Sequence, residues 1–175
     1  MPIALYDLTV PVFLRGLATL DSLLEKGSTH AEAAGTDATE LLQSRLAPDM
    51  LTLIGQVQRA CDTAKFAAVR IGGVENRSFP DEETSFAELH ARIAGTRAFL
   101  EAVPRTAIDG RAGETLNVNI GRAAVTIGAT DYALQFALPN FFFHVTTAYD
   151  LLRHRGVPIG KMDYLGPFGS AKRNA

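Results

Sequence analysis

His144 stands in the run Phe141-Phe142-Phe143-His144-Val145-Thr146-Thr147-Ala148-Tyr149, on the edge of an apolar helical seam. An imidazole there can do one of two kinds of chemistry. With a second histidine four residues on, two rings on one helix face could hold a metal ion between them. That position is Ala148, so the pair is half present. Alone, a group that titrates near neutrality can serve as a general base or hydrogen-bond a substrate. Asn140 lies one turn before His144 and Thr147 one turn after, so three polar groups line a face of an otherwise apolar helix. Convergent polar groups in an apolar cleft suit a small-molecule site. They equally suit a buried hydrogen-bond network, in which His144 is satisfied by a backbone carbonyl or by a side chain of the facing helix.

A second helix, read from Pro48 to Ile71, offers Gln58, Cys61 and Asp62 at similar depth. A Cys–His–Asp set can bind zinc, whereas a lone cysteine on an apolar seam can simply be a small packing residue. The other histidines fit less well. His30 follows Gly27-Ser28-Thr29 and reads as solvated, His90 as lying on an exposed face, and His154 as part of a basic helix end. No GxSxG elbow, phosphate-binding loop or GxGxxG fingerprint occurs. Gly166-Pro167-Phe168-Gly169 follows no predicted strand and reads as turn or tail.

The elements that must position these residues follow from hydrophobic period. Val10, Phe13, Leu14, Leu17, Leu20 and Leu24 predict a helix over about 9–26, with Thr9 as its cap, Pro11 in its first turn and Gly27 as its end. Asp37 and Glu40 predict a capped short helix carrying Leu41, Leu42 and Leu46. Met50, Ile54, Val57, Cys61, Ala64, Ala68 and Ile71 form the seam of the second long helix, which Gly72-Gly73 terminates. Ser85 and Glu88 make a capping box for the third, with Phe86, Leu89, Ile93, Thr96, Leu100 and Val103 on its seam and Pro104 closing it.

The period then switches to two. Leu116, Val118 and Ile120 alternate with polar residues, Gly121-Arg122 suits a two-residue turn, and a hairpin over about 115–127 pairs Leu116 with Ile127, Val118 with Val125 and Ile120 with Ala123. The last helix runs from Thr130 or Asp131 to before Gly156, with Leu134, Leu138, Phe141, Val145, Ala148 and Leu152 on its seam and Pro139 as a kink or break. Residues 157–175 read as an irregular wrap with a frayed tip. Four amphipathic helices, each needing partners on both sides, predict an all-α four-helix bundle in a single domain over 1–175, with a short extra helix and the hairpin between helices three and four.

Composition narrows the function. The net charge of −2 argues against nucleic acid as a partner, since phosphate binding needs a concentrated basic face. No apolar run reaches the ~20 residues of a membrane span, and the N-terminus shows no secretory pattern. The single cysteine excludes an intramolecular disulfide and any CxxC cluster. These features predict a cytoplasmic protein.

Three segments carry a likeness to known proteins: Tyr6-Asp7-Leu8-Thr9-Val10-Pro11-Val12-Phe13, Arg45-Leu46-Ala47-Pro48-Asp49-Met50, and the run 136–166, above all Ala137-Leu138-Pro139-Asn140-Phe141-Phe142-Phe143-His144-Val145-Thr146-Thr147-Ala148-Tyr149. They resemble the DinB/YfiT-like superfamily of bacterial four-helix proteins, and within it an uncharacterised domain-of-unknown-function branch. Members insert irregular or β structure before the last helix. The resemblance implies a metal site in some relatives, with one histidine on the second long helix and an HxxxH pair on the fourth. There, zinc or nickel activates a small thiol such as mycothiol or bacillithiol. Here only His144 matches that set: Ala148 replaces the second member, and the helix from Pro48 to Ile71 has no histidine.

The leading expectation is therefore a protein that binds a small molecule between helices two and four, near Gln58, Asp62, Asn140, His144 and Thr147, with no metal and no cofactor. A metal-dependent thiol S-transferase or isomerase with an altered ligand set is the alternative from the enzyme class. A dimeric scaffold without ligand is the third, the superfamily implying a homodimer.

Overall fold

Helix α1 spans Leu5–Ala34 in a computed structural model that describes residues 3–121 and 123–167, with Ile120 by its backbone alone. It begins four residues earlier than expected and ends well past Gly27. Ala4, at its N-cap, has no side chain to offer. Instead the Tyr6 N–H donates to Asp109 Oδ1 at 2.8 Å, so a carboxylate from a distant segment satisfies the orphan donor and answers the helix dipole. Pro11 consequently sits inside the helix and not in its first turn. Gly27 lies within the helix because the chain packs tightly there. A Cβ on it would stand 2.8 Å from Leu152, so the missing side chain is a notch for a neighbour, not a stop.

The short helix α2 spans Ala38–Leu42, with Asp37 accepting from the Thr39 N–H. Leu46 lies beyond it and is exposed. Helix α3 spans Leu53–Gly72. It starts five residues after Pro48, because Thr52 is the residue whose hydroxyl caps it, accepting from the Gly55 N–H at 3.3 Å. Gly73 ends it, as expected. Helix α4 spans Phe86–Glu101 behind the predicted Ser85–Glu88 capping box. Pro104 then opens one more helix, α5, at Arg105–Asp109, which supplies the carboxylate that caps α1.

Strands β1, Thr115–Ile120, and β2, Ala123–Gly128, pair antiparallel in the predicted register, Leu116 with Ile127, Val118 with Val125 and Ile120 with Ala123. Gly121 takes a φ of 60° at the turn, a value that a side chain disfavours; Arg122, the other turn residue, lies outside the described residues. Leu116 and Val118 are buried, and β1 rests on α3.

Pro139 does not end the last long helix, whose turns continue on both sides of it with a change of pitch just ahead of it. Helix α6, Ala129–Asp131, runs through a π-helical segment, Tyr132–Ala137, on into helix α7, Leu138–His154. Proline has no N–H to donate back, and its ring crowds the carbonyl four residues earlier; a widened turn ahead of it relieves both problems. The extra residue in that turn re-phases the seam. Tyr132, Ala133 and Ala137 are buried, whereas Leu134, expected on the seam, is 45% exposed.

Around the bundle, α1 lies against α4 and α7, and α3 lies against the same two. Phe13 of α1 meets Phe141 of α7 edge to face, with ring centroids 5.0 Å apart, in a core rich in leucine and alanine. The segment expected to be irregular after residue 157 contains a short helix α8, Lys161–Leu165, seated on α1. Asp163 caps it by accepting from the Gly160 N–H at 2.7 Å. Residues 168–175, including Phe168-Gly169 and the expected frayed tip, lie outside the described residues. No described helix is long and apolar enough to cross a membrane.

Candidate functional site

The five sequence-selected residues do not form one cluster: Asn140 and His144 meet α3 from α7, Gln58 and Asp62 leave α3 toward α4, and Thr147 joins neither pair. Toward α7, His144 Nδ1 lies 2.8 Å from Gln56 Oε1, while Gln56 Nε2 donates to the Leu51 carbonyl at 3.3 Å. The second bond orients the amide, so its oxygen must be what meets the ring. A carbonyl oxygen only accepts; the proton therefore sits on Nδ1 and the lone pair on Nε2. Burial pushes the His144 pKa down to about 4, and the nearby charge of Arg59 lowers it further. At neutral pH the ring is an uncharged acceptor.

Asn140, one turn earlier, donates from Nδ2 to Thr63 Oγ1 at 2.8 Å, and that hydroxyl donates on to the Arg59 carbonyl at 2.7 Å. The Asn140 carbonyl oxygen is left as a second acceptor on the His144 face. Thr147 does not join them. Its hydroxyl donates to the Phe143 carbonyl of its own helix at 2.7 Å, a local back-bond.

Toward α4 the chemistry is ionic. Gln58 donates to Glu83 Oε2 at 2.8 Å, and Asp62 lies 3.1 Å from Arg92, 3.1 Å from Arg59 and 3.5 Å from Lys65. Arg92 is the hub, with its side chain only 1% exposed. Nη1 donates to Glu83 at 2.9 Å and to the Pro80 carbonyl at 3.1 Å, while Nη2 reaches Asp62 and, at 3.0 Å, Asp81. Arg59 also pairs with Asp81. The network ties the segment between α3 and α4 down onto both helices. Arg92 is not among the sequence-selected residues, although its spacing from Leu89 and Thr96 puts it on the buried seam of α4.

Cys61 belongs to this second face. Burial raises its thiol pKa to about 12, and Thr96 and Arg92 of α4 lie near enough to act against that rise. Cys61 and Asp62 thus point toward α4 while His144 meets α3 from the opposite side. Among the described residues no group of three or more His, Cys, Asp and Glu side chains could hold a metal ion. His90, expected on an exposed face, is half-buried with Nδ1 2.5 Å from Asp21 of α1. His30, expected to be solvated, is half-buried too, and with His154 it lines a cavity of about 480 Å³. Two further cavities, of about 420 and 460 Å³, also open along α1, and none of these three is lined by Gln58, Asp62, Asn140 or His144.

Four long helices ringed around one core, with a hairpin ahead of the last, define a DinB-like bundle. The family model described as a domain of unknown function (DUF1993) matches residues 5–165, and the chain belongs to that family. It is similar to the crystal structure of a DinB family member protein from Shewanella denitrificans, at 39% identity over 97% of this chain and 96% of that one, with a TM-score of 0.88. No curated protein matches it.

Proposed function

We propose that this family member binds a small molecule at the α3–α7 face and works without the three-histidine metal centre of its metal-binding relatives. The observation that carries the reading is the 2.8 Å contact between His144 and Gln56. It holds the ring in one tautomer and leaves Nε2 as an oriented acceptor, while burial keeps the ring neutral. With the Asn140 carbonyl one turn away, the face suits a ligand that brings N–H or O–H donors.

The donor set does not fit the metal site that the superfamily implies. One imidazole is present, and its Nδ1 is engaged by Gln56. Where a second ring would stand, Ala148 is fully buried. The facing helix offers an amide, a hydroxyl and the Arg59 cation, whose field opposes a divalent ion; its thiol and carboxylate, Cys61 and Asp62, turn to α4. A thiol transferase with an altered ligand set finds no support in this arrangement.

The test is metal analysis of untagged protein together with a thermal-shift screen of compounds rich in hydrogen-bond donors. The expected result is no stoichiometric metal, and a melting temperature raised by a ligand in wild type but not in His144→Phe. Stoichiometric zinc or nickel that disappears in His144→Ala overturns the proposal.

A further inference from the structure

The side of α3 that meets His144 and Asn140 carries a third polar rung. Gln56, Thr63 and Arg70 recur every seven residues, a spacing that keeps them on one side of the helix. Each meets the last helix. Gln56 meets His144, Thr63 meets Asn140, and Arg70 donates from Nη1 to the Tyr132 hydroxyl at 2.8 Å. The first two rungs leave acceptors, His144 Nε2 and the Asn140 carbonyl. The third leaves donors, because a guanidinium carries five N–H bonds and Tyr132 takes one of them.

Charge sets this rung apart. Arg59, Lys65, Arg92, Arg105 and Arg111 each meet a carboxylate, whereas Arg70 meets none among the described residues. Its place in the last turn of α3 lets the helix dipole answer part of that charge. Aromatic rings hold the group in place: its centre lies 5.3 Å from the centroid of Phe66 and 5.8 Å from that of Tyr132. Tyr132 is buried and its hydroxyl fixes one edge of the guanidinium plane, while Arg70 and Phe66 are only half-buried. The fork is thus oriented in advance, with donors to spare for a carboxylate.

Spacing sets the ligand's length. The stretch of α3 from Thr63 to Arg70 spans about 10 Å, with Phe66 between them. We infer that the ligand of the α3–α7 face is an aromatic monocarboxylate with an O–H or N–H donor at its far end. The carboxylate pairs with Arg70, the ring lies along Phe66, and the far donor reaches the Asn140 carbonyl or His144 Nε2. This inference rests on the small-molecule reading of that face and adds the anion to it.

Calorimetric titration of the full chain with para-coumarate tests it, beside para-coumaramide, which lacks the charge, and cinnamate, which lacks the far hydroxyl. Para-coumarate should bind at least about tenfold more tightly than either. Its advantage over the amide should vanish in Arg70→Gln and survive in part in Arg70→Lys, which keeps the charge but not the fork. Its advantage over cinnamate should shrink in His144→Phe and in Asn140→Ala. Because each ratio is taken within one variant, a loss of stability alone does not imitate these results. No binding of para-coumarate, equal affinity for acid and amide in wild type, or an acid preference that persists in Arg70→Gln would overturn the inference. If acid and amide bind alike and both depend on His144, only the anion is removed and the reading of the face stands. If the acid needs Arg70 but ignores both His144→Phe and Asn140→Ala, that reading falls, and the inference with it.

Discussion

One helix, α3, presents polar side chains to two neighbours and solves the problem of burying them in opposite ways. Toward α7 the paired groups are neutral, although the Arg59 charge is close enough to act on His144: an amide holds an imidazole, and a hydroxyl receives an asparagine. Toward α4 the groups are charged, with Arg92, Arg59 and Lys65 against Asp62, Asp81 and Glu83. Both arrangements satisfy nearly all their donors and acceptors. They differ in what is left over. The ionic face saturates its carboxylates and behaves as a staple for the segment between α3 and α4. The neutral face leaves a lone pair on Nε2 and another on the Asn140 carbonyl. Polarity on a buried seam therefore does not mark a site by itself.

The largest difference between the faces should appear on removing a central residue from each. Arg92→Met leaves Asp62 and Glu83 buried without their main cation and is expected to cost about 3–5 kcal/mol in urea denaturation. A loss below about 1 kcal/mol would mean that the ionic face is no staple. Cys61, packed on that same side, should be almost inert. A thiol pKa of about 12 in place of 9.0 cuts the thiolate fraction at pH 8 by about three orders of magnitude. Labelling with a thiol reagent should await denaturant, and rapid labelling of the native protein would show α3 and α4 to part readily.

On the neutral face, His144→Ala removes one uncharged hydrogen bond and should cost about 1 kcal/mol, several times less than Arg92→Met. Equal losses would erase the contrast. A further expected effect on this face concerns pH. His144 is depressed to about 4 in the folded protein, against 6.5 unfolded. Between those values the unfolded chain binds more protons, so stability rises with pH across that window and falls as pH drops from 6.5 toward 4. Subtracting the pH profile of His144→Gln from that of wild type should isolate this slope. An NMR titration placing the ring near 6.5 in the folded protein would remove it.

The features readable in the sequence were those set by local pattern. The hairpin register follows from a strict period of two, because a slip by one residue would turn Leu116 and Val118 outward. The Ser85–Glu88 box was legible for the same reason, since both partners lie within one turn. What escaped depended on long-range partners. The start of α1 is fixed by Asp109, about a hundred residues away. Gly27 looked like a terminator only because Leu152 was not in view. Among the site residues, His144 and Asn140 share a face as their spacing said, but helical spacing on α3 could not tell the side of α7 from the side of α4. That is why Gln58 and Asp62 were grouped with His144 and in fact meet Glu83 and Arg92.

The widened turn at Tyr132–Ala137 sits between the hairpin and the half of the last helix that carries His144. One surplus residue in such a turn rotates everything on one side of it by about 100° relative to the other. It works as a coupling between two shafts. The end that docks the hairpin and buries Tyr132 can keep its own angular setting, while the end bearing Asn140 and His144 keeps another. A gain or loss of a single residue here would aim a different side chain of α7 at α3 without changing how the hairpin seats.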